Sequence, residues 1–314
     1  MRCYIHGKKN CKLAYISVKR VKMINKLKTI DYRTYYSLLR LDSAKIVLLA
    51  LFPACSSVVL VSNGLISGIY YCILNAIGAF IMRPAGCIIN DIFDKNIDSR
   101  VERTKNRPLA NNTLTVVQAI KVLLILLMIA CMILSLTNIL TFYISIFFAI
   151  IIVLYPLGKR YFWYPQVILG IVFNSGVLIG CTMVVNRFSF KSILLYIGCI
   201  FWTIGYDTIY SHQDKRDDAE IGLRSTALKF GENTRFFIGK LYTMTVTMWI
   251  CMGIISSLNY IFYLAISVIM GIFYYQYKKS DFDDPEKCMR MFKVNIYVGA
   301  LLFFGICFGK LKLL

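Results

Sequence analysis

The sequence predicts an all-α, polytopic membrane protein with nine transmembrane helices. Hydrophobic residues make up 58% of the 314 residues and charged residues only 17%, a balance that soluble domains of this length do not reach. The apolar residues come in long runs, and a helix needs roughly 20 mostly apolar residues to cross the hydrocarbon core. Lys and Arg concentrate in alternate connections between these runs, as expected for loops that alternate between two sides of a membrane.

Short polar connections separate the apolar runs. Only Ser62, Asn63 and Gly64 join the first two runs, and only Thr137 and Asn138 join the third and fourth, so each pair is predicted to form a tight helical hairpin. We divide the chain into a basic amino-terminal segment, 1–43, and a transmembrane domain, 44–314. The nine spans are placed near residues 44–62, 66–89, 116–136, 139–157, 165–185, 190–208, 236–256, 259–277 and 293–309.

Basic residues predict the orientation of these spans. Twelve Lys and Arg lie between residue 1 and Lys45, and further groups follow the second, fourth, sixth and eighth spans. The opposite loops hold only Arg187 and Lys191, with Lys310 and Lys312 at the carboxyl end. Because short cytoplasmic loops retain positive charge, the amino terminus and the even-numbered loops are predicted to face the cytoplasm, or the matrix of an organelle.

The net charge of +20 follows from this topology and from contact with the anionic headgroups of the lipid bilayer. Nucleic-acid binding is not expected, because no basic domain with interleaved aromatic residues lies outside the apolar runs. Residues 1–30 contain no acidic residue, which fits either an organellar targeting segment or an inside-facing tail. The eleven cysteines include no CxxC pair and are interpreted as apolar packing residues.

The first of two acidic segments, NDIFDKNIDSR at 90–100, stands where the second apolar run ends. If the helix of this run continues, Asn90, Asp94 and Asp98 recur every four residues and share one face. Asp91 is then turned about 100° away. Carboxylate and amide oxygens are the ligands that Mg²⁺ prefers, usually with positions left open for substrate phosphates. All four residues are candidate metal ligands.

The second acidic segment, YDTIYSHQDKRDDAEIG at 206–222, follows the sixth apolar run. Asp207, Asp214 and Asp218 are spaced by seven and four residues and again predict one helical face, which Tyr210 extends. Either segment alone fits a solvated loop that caps a helix. Two such segments on the same side of the membrane favour a shared metal site, so these three aspartates are further candidate ligands.

Basic residues flank the acidic segments, as binding of a diphosphate requires. Arg103, Lys105 and Arg107 follow the first segment, and Lys159 and Arg160 close the fourth span. Each is a candidate phosphate clamp, although the preference of basic loops for the cytoplasmic side also accounts for Lys159 and Arg160.

Arg83 lies inside an apolar span, seven residues before Asn90 and on the same helical face. A charge within the membrane is costly and marks a candidate functional site. Arg83 is predicted to hold the carboxylate of a small acidic substrate above the metal site. A salt bridge to one of the aspartates is the alternative.

Three blocks of sequence resemble a known family. They are RPAGCIINDIFDKNIDSRVERTKNRPL, LYPLGKRYFWYPQVILG and GYDTIYSHQDKRDDAEIGLRSTALKFG. In this order, and over about residues 40–231, the chain resembles the UbiA superfamily of intramembrane prenyltransferases, most closely the branch that acts on 4-hydroxybenzoate in ubiquinone synthesis. The chain departs from the family in two places: SAKI follows Asp42 where a KPIG-like segment is common, and residues 1–30 have no counterpart.

The resemblance implies nine helices bundled around a central cavity, Mg²⁺ held through both acidic segments, and a polyprenyl diphosphate whose tail leaves through an opening toward lipid. It places Arg83 and Tyr155 where the family holds the aromatic substrate. It further implies a bacterial or mitochondrial inner membrane, with the active site facing the cytoplasm or the matrix. The residues that match the two metal motifs are Asn90, Asp94, Asp98, Asp207, Asp214 and Asp218; Asp94, Asp98, Asp207 and Asp214 are expected to be catalytic.

The expected chemistry follows from charge. Mg²⁺ and the basic clamps neutralise the diphosphate, so the allylic C–O bond ionises toward a carbocation that the faces of Tyr155 or Tyr210 stabilise. The ring carbon ortho to the hydroxyl of 4-hydroxybenzoate then attacks. Two alternatives stay open: another aromatic acceptor, such as homogentisate or a naphthoate, and a cation-coupled transporter, which predicts acids at mid-span rather than at helix ends. Protein partners, prenyl chain length and oligomeric state do not follow from the sequence.

Overall fold

The computed structural model describes residues 32–311 of the chain. Within that range nine helical segments are long and apolar enough to cross a membrane, which confirms the predicted all-α fold with nine spans. The protein is an integral membrane protein. The spans are Tyr32–Val61, Leu65–Phe93, Val116–Leu134, Ile139–Gly158, Pro165–Val185, Phe190–Ile221, Thr226–Ile255, Tyr260–Lys279 and Pro285–Gly309.

Several spans extend further than their apolar runs indicate, on the side that carries the acidic segments. The last span begins at Pro285 rather than near residue 293. Asp284 caps its amino end by accepting hydrogen bonds from the backbone of Glu286 and Lys287, and proline is favoured at the first helical position. Hydropathy marks only the residues that suit hydrocarbon, whereas the helical backbone continues into the polar residues beyond them.

Fourteen α-helices make up these spans and the short segments between them. A 3₁₀ segment, Leu41–Val47, joins the first two helices, and the fifth span is interrupted at Asn174 (φ −94°, ψ 8°). The helices are α1 (Tyr32–Leu38), α2 (Leu48–Val61), α3 (Leu65–Phe93), α4 (Lys95–Asp98), α5 (Val116–Leu134), α6 (Ile139–Tyr161), α7 (Pro165–Phe173), α8 (Ser175–Val185), α9 (Phe190–Ser211), α10 (Lys215–Ile221), α11 (Thr226–Phe230), α12 (Thr234–Ile255), α13 (Tyr260–Lys279) and α14 (Pro285–Gly309).

The main core lies where α9, α12, α13 and α14 pack together. Trp202 and Trp249 are fully buried there with ring centroids 5.8 Å apart, and the indole of Trp202 donates a hydrogen bond to Asn295 (2.8 Å). Gly198 makes this approach of α9 to α12 possible, because a Cβ at that position would lie 2.5 Å from the Trp249 indole nitrogen. This packing fixes the position of α9, whose end carries the start of the second acidic segment.

A second, smaller core supports the first acidic segment. Leu38, Ile88, Leu109, Leu114 and Ala119 pack together and join α1, the end of α3, the connection before α5, and the start of α5. The connection 99–115 is therefore tied down against the helix ends, and its basic residues are held close to the acidic segment that precedes it.

Candidate functional site

A cavity of about 890 Å³ lies among α2, α3, α5, α6, α7 and α8. One end is lined by polar side chains from both acidic segments, and the remainder by mainly apolar side chains of the surrounding helices. The acidic side chains that line it are Asp42, Asp91, Asp98, Asp214 and Asp218, accompanied by the amide of Asn90. The two segments, far apart in the sequence, thus meet at one end of one cavity.

The first acidic segment is not a single unbroken helix, as the sequence had suggested. α3 ends at Phe93, Asp94 has φ −97° and ψ 7°, and α4 then begins at Lys95. The hydrogen bonds from Asp94 N to Asn90 O (2.9 Å) and from Asp98 N to Asp94 O (2.7 Å) nevertheless preserve the spacing of four residues. Asn90 and Asp98 line the cavity, whereas Asp94 is fully buried and is not among the described lining residues.

Asp91 lines the cavity as well, although its position on the helix predicted that it would turn away. Its carboxylate, which is 1% exposed, accepts hydrogen bonds from Nη2 of Arg40 at 2.7 and 2.8 Å and from Nη1 of Arg107 at 3.2 Å. Both oxygens are therefore engaged by guanidinium groups. Arg40 was not among the residues predicted for the site; its only signal in the sequence was its place at the start of the region that resembles the UbiA superfamily.

The second acidic segment is also interrupted. α9 ends at Ser211 and a 3₁₀ turn precedes α10, so the stripe predicted for one continuous helix is broken. Tyr210, Asp214 and Asp218 still line the cavity, whereas Asp207 is not among the described lining residues. Asp207 and Asp94 both lie near Tyr155, which is a lining residue.

Arg103 connects the two segments. Its Nε and Nη2 donate hydrogen bonds to Asp214 at 2.8 and 2.5 Å, and its guanidinium lies over the ring of Tyr210, 5.5 Å from the centroid. Burial lowers the pKa of Arg103, but the hydrogen bond to Asp214 and the charges of Asp214 and Asp98 outweigh that effect and raise it above the usual value. The side chain therefore stays charged beside the cavity that it lines.

Besides Arg103, the basic residues predicted as phosphate clamps fall into three groups. Arg107 lines the cavity, and its Nη1 donates to Asp98 at 2.8 Å. Lys105 is instead exposed and pairs with Glu102 at 2.6 Å, and it is absent from the described lining residues, so its placement does not support the predicted clamp. The predictions for Lys159 and Arg160 concern side chains that lie outside the described part of the structure.

Arg83 and Tyr155 share the cavity, as the resemblance implied. The guanidinium of Arg83 donates to the carbonyl oxygen of Arg40 (3.3 Å) and to the hydroxyl of Ser43 (3.2 Å). It makes no ion pair with an aspartate among residues 32–311, so the salt bridge considered as an alternative is not formed there. Arg83 therefore presents a cation, held by two neutral acceptors, to the cavity.

Comparison with known proteins identifies the family. The model of the UbiA prenyltransferase family matches residues 50–304. The chain belongs to this family. It is 37% identical, over 278 residues covering 88% of this chain and 78% of the relative, to a protein of Caenorhabditis elegans named 4-hydroxybenzoate polyprenyltransferase, mitochondrial.

Solved structures of UbiA homologues have the same fold. An apo structure of the homologue from Aeropyrum pernix K1 aligns with a TM-score of 0.74 at 23% identity, covering 84% of this chain and 98% of that one. The homologue from Archaeoglobus fulgidus, solved bound to GPP and Mg²⁺, aligns with a TM-score of 0.62 at 15% identity, covering 87% and 99% of the two chains.

The donor chemistry of this UbiA family member suits a hard divalent cation. Amide and carboxylate oxygens of Asn90, Asp98, Asp214 and Asp218 face the polar end of the cavity, and oxygen donors of this kind fit Mg²⁺. Between residues 32 and 311, no three acidic, histidine or cysteine side chains converge as a metal cluster. Arg107 and Arg103 instead neutralise Asp98 and Asp214.

Proposed function

We propose that this UbiA family member transfers a polyprenyl group from a polyprenyl diphosphate to the ring carbon ortho to the hydroxyl of 4-hydroxybenzoate, in ubiquinone biosynthesis. The observation that carries the proposal is the cavity itself, with acids and arginines at one end and apolar walls along the rest. A lipid-linked diphosphate has the same division, with charge at one end and hydrocarbon at the other. The name of the relative from Caenorhabditis elegans supports 4-hydroxybenzoate as the acceptor.

The polar end would hold the diphosphate together with Mg²⁺. Asn90, Asp98, Asp214 and Asp218 face this end and are the first candidates for the metal. Asp94 and Asp207, which are predicted ligands but are not among the described lining residues, complete the set. Bound Mg²⁺ supplies positive charge that makes the diphosphate a better leaving group. The Mg²⁺ in the structure of the Archaeoglobus fulgidus homologue supports this assignment.

Arg103 and Arg107 are suited to clamp the diphosphate. Guanidinium groups bind phosphate oxygens with two parallel hydrogen bonds, and both side chains line the cavity. Each is paired with an aspartate, so the diphosphate would replace that anionic partner, and the aspartates released, Asp214 and Asp98, would then be available to bind Mg²⁺.

Arg83 is suited to orient the acceptor. A carboxylate of 4-hydroxybenzoate would replace the neutral partners of Arg83, Arg40 O and Ser43 Oγ, with a charged one, which makes a stronger hydrogen bond. Tyr155 and Tyr210 line the same cavity and offer aromatic faces to a developing cation.

The reaction balances as an electrophilic substitution. The allylic C–O bond breaks and its electron pair leaves on the diphosphate, a bond then forms between the allylic carbon and the ortho ring carbon, and the proton of that ring carbon passes to a carboxylate or to the departing diphosphate. The apolar walls keep water from the cation, which would otherwise be captured as an alcohol.

We place the protein in a bacterial or mitochondrial inner membrane, with the polar end of the cavity facing the cytoplasm or the matrix. The alternation of basic loops supports this orientation. The mitochondrial name of the relative supports the second compartment.

The test is prenyl transfer by the full chain reconstituted in liposomes, with geranyl diphosphate and 4-hydroxybenzoate, with and without Mg²⁺. We expect product that depends on Mg²⁺, and we expect the Asp94→Asn variant to form none. The control is Asp283→Asn, which changes an exposed acid in the connection before α14 and should leave the yield of product unchanged. Turnover with homogentisate or a naphthoate, but not with 4-hydroxybenzoate, would support the proposed prenyl transfer and refute 4-hydroxybenzoate as the acceptor. If the folded protein forms no product with any acceptor, the proposed enzymatic activity is wrong, and the alternative of a cation-coupled transporter is favoured.

A further inference from the structure

Two basic side chains converge on one exposed tryptophan just after α6 ends. The guanidinium carbon of Arg224 lies 5.2 Å from the centre of the Trp163 ring, and the ammonium nitrogen of Lys229 lies 5.5 Å from it. Among the side chains that the structure describes, neither cation forms an ion pair with an acid. The two positive charges at this ring therefore have no anionic partner in the described part of the protein.

Hydrogen bonds fix the two segments that carry these side chains against each other. Nη1 of Arg224 donates a hydrogen bond to the carbonyl oxygen of Tyr161. The backbone N–H of Thr226 donates to Oε1 of Gln166 at 3.3 Å, and both of these residues are buried. The connection between α6 and α7 is therefore held beside the connection between α10 and α11, so the cations and the indole form one surface.

Exposed aromatic and apolar side chains adjoin this surface. Tyr161, Phe162 and Tyr164 are exposed on either side of Trp163, and Val167 is exposed in the first turn of α7. Trp and Tyr concentrate where a membrane meets water, because an apolar ring with a polar edge suits that boundary. α7 begins the fifth membrane span. The surface therefore combines positive charge at the level of the lipid headgroups with apolar side chains that lead into the hydrocarbon.

An anionic phospholipid has the groups that this surface fits. Its phosphate offers negative charge and oxygen acceptors to a guanidinium and an ammonium group, and its acyl chains suit the exposed apolar side chains. Each basic residue close to a membrane surface adds to the attraction for anionic lipid. A zwitterionic phospholipid carries a compensating ammonium group, and a soluble phosphate ion has no acyl chains. Charge and hydrophobicity together therefore favour an anionic lipid over either of these.

We propose that Arg224, Lys229 and Trp163 form a binding site for the headgroup of an anionic phospholipid, whose acyl chains lie against the exposed side chains at the start of α7. The bound lipid bridges the connection between α6 and α7 and the connection between α10 and α11. Arg224 directly follows Leu223, which lines the cavity, so the lipid also supports the wall that carries the second acidic segment. The site binds a lipid of the surrounding bilayer and is independent of the proposed reaction.

Trp163 is itself a reporter of the bound lipid. The chain has three tryptophans, of which Trp202 and Trp249 are 0% exposed and Trp163 is 40% exposed. The test measures tryptophan fluorescence of the full chain in phosphatidylcholine nanodiscs, as a lipid with brominated acyl chains, which quench indole fluorescence on contact, is added. We expect half-maximal quenching at about a tenfold lower mole fraction of brominated phosphatidylglycerol than of brominated phosphatidylcholine, because two cations attract the anionic headgroup.

Single substitutions separate the two cations from net charge. Arg224→Gln and Lys229→Gln each remove one cation and leave the reporter in place, so each should reduce the preference from about tenfold to about threefold. Lys240→Gln is the matched control, because Lys240 is an exposed lysine whose Nζ lies 4.4 Å from the ring centre of Phe236, where no second described cation makes contact. This variant loses the same charge and should keep the full preference.

Equal quenching by the two lipids in the wild-type protein would overturn the site. Preferential quenching that persists in Trp163→Phe, or in the variant that carries both Arg224→Gln and Lys229→Gln, would do the same, because it would place the lipid elsewhere. Inorganic phosphate should displace no more lipid than sodium chloride does at equal ionic strength, and greater displacement would assign the surface to a soluble anion instead. Prenyl transfer is not measured in any of these titrations, so their failure leaves the proposed function intact.

Discussion

Replacing Arg40 with alanine tests whether the ion pairs at the polar end hold the site together. The Asp91 carboxylate is 1% exposed and accepts three hydrogen bonds, two of which come from Arg40. Breaking a buried ion pair by removing one partner costs about 3–5 kcal/mol, because the remaining charge is left uncompensated. Arg107 keeps one bond to Asp91 at 3.2 Å, and Arg40 is 15% exposed, so we expect a loss of about 2–3 kcal/mol in the free energy of unfolding.

A double-mutant cycle separates this pair from a general effect of truncation. Arg40→Ala with Asp91→Asn removes both charges, so the combined loss should be smaller than the sum of the single losses by about 2 kcal/mol. The assay is unfolding of the purified protein in mixed micelles by a denaturing detergent, followed by circular dichroism. Lys45→Ala, an exposed cation of the same segment, is the matched control and should change the free energy by less than about 0.5 kcal/mol. Additivity of the two single losses within about 0.5 kcal/mol would refute the reasoning.

Two further comparisons use pairs of residues that differ in one respect. Arg103→Ala removes the charge-assisted hydrogen bonds to Asp214 and a cation from the cavity wall, so kcat/KM for the diphosphate should fall by about 10- to 100-fold. Lys105→Ala breaks only an exposed ion pair and should change kcat/KM by less than about fivefold. Comparable losses of kcat/KM in both variants would show that the connection 99–115 contributes to diphosphate binding only through its net charge. Gly198→Ala should destabilise the protein by about 1–3 kcal/mol, because the added Cβ collides with the indole of Trp249 in α12. Gly271→Ala adds a Cβ that meets only open space, so it should be neutral or stabilise the protein by up to about 1 kcal/mol. Equal thermal stability of the two variants would contradict the close packing of α9 on α12.

The spans, the acidic segments and the family could all be predicted from the sequence, because each depends on residues that are near one another in the chain. Hydropathy is a local property, and it located all nine spans within residues 32–311. The spacing of four residues placed Asn90 and Asp98 on the cavity together, and the interruption at Asp94 did not separate them because the backbone hydrogen bonds across it were kept. Arg83 was recognised from its charge within an apolar run.

The pairing of charges and the shape of the cavity were decided by the tertiary structure. Arg40 meets Asp91 across 51 residues and Arg103 meets Asp214 across 111, and such partners depend on how α1, α3, α9 and the connection 99–115 pack. The same packing leaves Lys105 outside the cavity while Arg107, two residues later, lines it. The sequence by itself determined which groups can carry charge within the membrane and where the chain crosses it. Only the folded bundle decided which of those charges face one another and which apolar side chains line the cavity beside them, because both are properties of surfaces formed by helices that are distant in the sequence.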